Sequence, residues 1–96
     1  MKKPAVAGKF YPGEKEELER EVKSFLNIKR NKEIKACIVP HAGYVFSGKT
    51  AGKVFSSLPE KKIFIMLGVN HSGFGKKVCF SLEDFSTPLG IVKNNK

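Results

Sequence analysis

The chain has no long apolar run, almost no arginine, no glutamine and only two cysteines. Its longest strongly apolar stretch, Ile63 to Leu67, has five residues, against the roughly 20 needed to cross a bilayer. Lys2 and Lys3 open the chain, but no apolar segment behind them is long enough for a signal peptide. These absences predict a cytoplasmic protein with no membrane partner. Cys37 and Cys79 lack C-x-x-C spacing and fall in separate apolar runs. They read as small buried hydrophobes rather than as a disulfide or a metal clip.

What is abundant is lysine. The net charge is +9, and 16 of the 18 cations are lysines. The excess is spread along the chain: residues 1–35 carry ten basic and six acidic side chains, residues 36–96 eight and three. Dispersed lysine suits a solvated surface better than the bidentate phosphate or base recognition of arginine. No zinc-finger, homeodomain or RRM signature accompanies it. The charge therefore argues against a nucleic-acid partner.

Ninety-six residues support one small domain with a limited core. Residues 4–13 are small and apolar, bracketed by prolines, and read as an extended arm or short strand ended by Pro12-Gly13. From Glu14, Leu18, Val22, Phe25 and Leu26 recur on one stripe of an amphipathic helix, with acidic residues crowding its first turn. Ile34 to Val39 reads as a strand apolar on both faces, closed by Pro40. Ala51, Val54, Phe55 and Leu58 predict a second helix over 47–58, closed by Pro59. Ile63 to Leu67 is another buried-type strand, and Val78 to Leu82 an alternating one. Thr87 to Gly90 is a turn, and Ile91-Val92 begins a further strand that stops in Lys93 to Lys96.

Strand, helix, strand with short connections is a βαβ unit with parallel strands and a right-handed crossover. The expected fold is α/β, a small mostly parallel or mixed sheet with two helices. His41 then lies two residues past the first strand and His71 four past the second. Both emerge at the carboxyl edge of the sheet, where ligand sites of α/β folds gather. Imidazole is the commonest metal ligand among side chains, so a shared metal or catalytic site is one reading and two structural histidines the other. A third ligand would come from a carboxylate, and Glu83 and Asp84 are the local candidates. A second motif overlaps the first: Gly43 to Thr50 satisfies the phosphate-loop pattern G-x-x-x-x-G-K-[ST]. Against it stand the bulky Tyr44-Val45-Phe46 interior and the lack of an acidic residue after Leu67 to hold magnesium. A third reading is non-enzymatic: Phe10, Tyr11, Tyr44 and Phe46 could line a groove that holds a peptide.

Four ordered blocks carry a resemblance. Pro4 to Pro12 (PAVAGKFYP), Pro40 to Tyr44 (PHAGY) with Ser47-Gly48, Leu67 to His71 (LGVNH) and Thr87 to Gly90 (TPLG) are similar to the Memo family, AmmeMemoRadiSam system protein B. The resemblance covers essentially the whole chain but only about the N-terminal third of the family's usual length. It implies the N-terminal part of a domain like the class III extradiol dioxygenase catalytic subunit, with residues 1–96 as one incomplete, truncated domain. It further implies a non-haem metal ion, iron or copper, bound by His41 and His71. The third ligand it implies is a cysteine in a distant C-terminal segment that neither Cys37 nor Cys79 matches. The implied chemistry is metal-dependent, dioxygenase-like oxidation of a small molecule. Self-association to cover open sheet edges is the remaining expectation.

Overall fold

The computed structural model describes residues 1–95. The chain is α/β, with α1 (Lys15–Phe25), α2 (Tyr44–Ser57), β1 (Phe85–Thr87) and β2 (Gly90–Val92) in that order. Lys96, where the expected last strand was to run out, lies outside the described residues. No helix among the described residues is long and apolar enough to cross a membrane.

Helix α1 begins where its acidic first turn can be used. The Glu14 carboxylate accepts the Glu16 and Glu17 N–H groups at 3.1 and 3.0 Å, satisfying donors that a helix start otherwise leaves free. Those two bonds hold its pKa below the usual carboxylate value. The apolar stripe turns inward at Leu18, which is 3% exposed and is the one buried hydrophobic residue among those described.

Helix α2 starts at Tyr44 rather than at Ser47, with Gly43 as its cap. The first turn is filled from outside: the Tyr44 N–H donates to the Phe10 carbonyl at 2.7 Å. The arm that supplies this carbonyl is not extended. Residues 6–11 curl into a turn in which Lys9 and Phe10 N–H groups both donate to the Val6 carbonyl, and Gly8 takes a left-handed φ of 81°. The two helices meet where α2 has no side chains to interfere. A methyl carbon at Gly48 would sit 2.6 Å from the Phe25 ring, and one at Gly52 would overlap the Phe25 backbone. Phe25 also meets Tyr44 edge-on with centroids 6.0 Å apart.

The sheet is a hairpin. Strands β1 and β2 pair antiparallel with Phe85 opposite Val92 and Thr87 opposite Gly90, around the turn expected at Thr87 to Gly90. The N-terminus lies alongside: the Lys2 N–H donates to the Asp84 carbonyl at 2.8 Å, and Ser86 N–H to the Lys2 carbonyl at 2.9 Å.

The parallel strands expected at 34–39 and 63–67, and the third at 78–82, carry no strand pairing. No backbone group of 35–39 or 63–67 takes part in a hydrogen bond among the described residues. The cause is legible in their composition. Strands apolar on both faces require cover on both, and a lone pair of strands is marginal in water. Here helix α2 borders one segment across an open groove of about 450 Å³. Ile38 is 95% exposed and Leu67 94%. Cys37 and Cys79, expected to be buried, are exposed free thiols for the same reason. The Cα radius of gyration, 14.3 Å, exceeds the roughly 13 Å of a compact 100-residue domain.

Candidate metal centre

His41 and His71 stand together. Their ring centroids are 5.3 Å apart and the planes are inclined by 53°. Both side chains are exposed. Imidazole nitrogens bind an ion at about 2.0–2.1 Å, which places the centroids of two rings on one ion about 4.5–5.5 Å apart. The observed separation therefore fits a shared ion, and the donor chemistry suits iron, copper or zinc.

Each histidine sits in a short loop shaped by its own neighbours. Beside His41, the Ser47 hydroxyl donates to the Ala42 carbonyl at 2.9 Å. This ties the loop to the first turn of α2, and Ser47 is itself buried. Beside His71, the Asn70 amide donates to the Phe74 carbonyl at 2.7 Å, and its oxygen accepts from Ser72 Oγ and the Gly73 N–H. Neither Ser47 nor Asn70 stood out in the sequence as a loop organiser. Asn70 beside His71, followed by Ser72-Gly73, is the signal that could have marked a side-chain-closed turn.

No third ligand joins the pair: no group of three or more His, Cys, Asp or Glu able to hold a metal occurs among the described residues. Glu83 and Asp84 are engaged elsewhere. Glu83 faces the N-terminal ammonium at 3.7 Å, and Asp84 accepts the Asn94 N–H at 2.9 Å.

The phosphate-loop pattern lies mostly inside helix α2. Tyr44 to Thr50 are helical, the Tyr44 N–H is taken by Phe10, and Gly48 is buried against Phe25. No loop remains to curl around a phosphate. Of the aromatic trio, Tyr11 and Tyr44 meet with centroids 5.6 Å apart, while Phe46 points outward, 87% exposed. Burial, then Tyr11 and Glu21, push the Tyr44 hydroxyl above the usual tyrosine pKa.

These features define an α/β protein that holds two imidazole rings side by side, from loops that precede and follow helix α2 in sequence. Comparison with known proteins carries this further. The family model described as Memo-like protein matches residues 2–96, and the chain belongs to that family. A MEMO1 family protein of Archaeoglobus fulgidus is 44% identical over 93 residues, which cover 97% of this chain and 36% of the relative. One from Methanosarcina acetivorans is 44% identical, covering 96% and 35%, and one from Aquifex aeolicus 41%, covering 97% and 36%. The chain thus spans about a third of the length of the curated relatives it matches. No solved structure matches it.

Proposed function

We propose that this Memo-family chain contributes His41 and His71 as two neutral imidazole ligands to a non-haem metal centre, of iron or copper. The observation that carries the reading is the 5.3 Å approach of the two rings. Two residues expected at the carboxyl ends of the two strands of a βαβ unit are neighbours in space, although the segments that precede them are unpaired. Such an ion, when bound, supplies a redox-active Lewis acid for dioxygenase-like oxidation of a small molecule. The chain's own part is to hold the imidazoles: Ser47 fixes the loop before α2, and Asn70 fixes the loop around His71. The remaining ligands come from outside this pair, consistent with relatives nearly three times as long.

A peptide-holding role for Tyr11, Tyr44 and Phe46 has less support. The Tyr44 ring is already packed on Tyr11 and Phe25, which leaves Phe46 and the half-exposed Phe10 as free anchors.

The test is metal content after anaerobic purification, compared with the His41→Ala/His71→Ala double variant. Metal retained near one ion per chain in the natural protein and lost in the variant supports the centre. Equal metal content in both, or none in the natural protein under metal-replete growth, overturns it.

A further inference from the structure

We propose that the N-terminal turn, residues 6–11, is a positioning element of the imidazole pair. Its Phe10 carbonyl holds the loop that carries His41, and so sets where that ring stands against His71. The placement of the rings stands by itself, and only its consequence for metal affinity rests on the centre proposed above.

The turn is closed by its own backbone. The Val6 carbonyl accepts the Lys9 and Phe10 N–H groups at 3.0 and 2.9 Å, and the Gly8 N–H donates to the Tyr11 carbonyl at 2.8 Å. Gly8 sits at a φ of 81°, in the left-handed region that a residue with a Cβ enters at a cost. The Phe10 carbonyl is turned away from this ring of bonds and accepts the Tyr44 N–H at 2.7 Å.

That bond does the work of a cap. Gly43, the residue before α2, has no side chain to accept from the first turn, and a helix start leaves such donors free. The bare Gly43 also lets the turn come close: a methyl carbon there would stand 3.5 Å from the Phe10 oxygen and 3.6 Å from its Cα. Ser47 holds the same loop from the helix side, through the Ala42 carbonyl at 2.9 Å. Ala42 and Gly43 are thus held between turn and helix, and His41 is the next residue back. On its other side nothing comparable holds it, because residues 35–39 make no backbone hydrogen bond among the described residues. The turn and the helix are therefore the anchors nearest to the His41 ring.

The experiment uses the full chain, assembled by ligation at Cys37, as Gly8→Ala, as Gly8→D-alanine, and with the Gly43–Tyr44 amide replaced by an ester. An L-alanine methyl at Gly8 meets nothing within 4 Å, so that variant acts through the backbone alone. D-alanine favours the left-handed region and keeps the turn. The ester deletes the Tyr44 donor and leaves every side chain. The first readout is the nuclear Overhauser effect between the His41 and His71 ring protons in the metal-free chain. It should weaken in Gly8→Ala and in the ester, and return in the D-alanine form, with helical circular dichroism unchanged. Zinc, a redox-inert probe, should bind Gly8→Ala and the ester more weakly by up to about tenfold, and the D-alanine form as it binds the natural chain. A natural ring-to-ring effect in the ester overturns the proposal. Equal losses in the L- and D-alanine forms overturn it as well, since bulk and not backbone is then the cause. Rings that separate as expected while zinc binding stays the same, or is absent throughout, support the positioning role and overturn the metal reading.

Discussion

The rings of His41 and His71 stand 5.3 Å apart, centroid to centroid, although 30 residues and the whole of helix α2 separate them in sequence. Such an approach is not forced by backbone pairing, because the segments that precede the two loops share no hydrogen bonds. Each ring sits in a loop with its own local bond, Ser47 to Ala42 beside His41 and Asn70 to Phe74 beside His71.

If both rings bind one ion, neither is dispensable. His41→Ala and His71→Ala, made singly, should each weaken zinc or copper binding on the order of a hundredfold, with the double variant little worse than either single. Copper(II) should bind the natural chain more tightly than zinc. Competition titration with a chromophoric chelator reads all four proteins. Additive losses from the two singles would mean two separate weak sites.

Glycine spacing on α2 sets the contact between the helices. A methyl group at Gly52 meets the Phe25 backbone, which cannot swing away, whereas one at Gly48 meets only the Phe25 ring, at 2.6 Å. Gly→Ala in a helix interior gains about 1 kcal/mol of propensity, and overpacking costs about 1–3 kcal/mol. Gly52→Ala should therefore lower the thermal midpoint, while Gly48→Ala should be near neutral. Circular dichroism melts compare them directly, and equal effects would place Phe25 elsewhere.

Elements set by local chemistry were legible in the sequence, and elements that need partners were not. Glu14 to Leu26 announced a helix through a 3.6-residue stripe and an acidic start, and Thr87 to Gly90 announced a turn through Pro88 and Gly90. Both stand as read, the turn with Gly90 at a φ of 139°. The start of α2 was misplaced because its first turn is completed by Phe10, a residue from the distant arm. The strands at 34–39 and 63–67 were inferred from apolar composition, which records what a segment requires around it and not what is present. The two histidines, singled out by strand-end spacing, lie side by side even though the segments before them are unpaired. The glycine face of α2 stayed hidden behind the phosphate-loop pattern that shares Gly48.

The Glu14 cap should make α1 sensitive to acid. Its carboxylate is stabilised in the fold by two backbone N–H groups, so its pKa is depressed relative to the unfolded chain. A depressed carboxylate contributes stability that is present above its unfolded pKa and is lost as pH falls through the folded one. Helical ellipticity at 222 nm should fall on acidification in the natural chain. In Glu14→Gln it should start lower and lose less over the same range. A variant with the natural acid limb would mean that the Glu14 cap does not produce it.

Tyr44 should govern the opposite limb. Burial raises its hydroxyl pKa first, with Tyr11 and Glu21 adding to it, so the fold favours the protonated phenol. A group whose folded pKa is raised contributes stability that is complete below the unfolded value, near 10, and is lost as pH climbs through the folded value. The natural chain should thus lose helix-pair stability in alkali through tyrosinate formation beside Phe25 and Tyr11. Tyr44→Phe keeps the ring contacts, 5.6 Å to Tyr11 and 6.0 Å to Phe25, and removes the proton. Its melting point should match the natural chain at neutral pH and exceed it in strong alkali. The 295 nm absorbance titration should also lose its latest-rising phase in the variant. An unchanged late phase would mean that Tyr44 does not carry the delayed ionisation, and that the aromatic contact is open to water at α2.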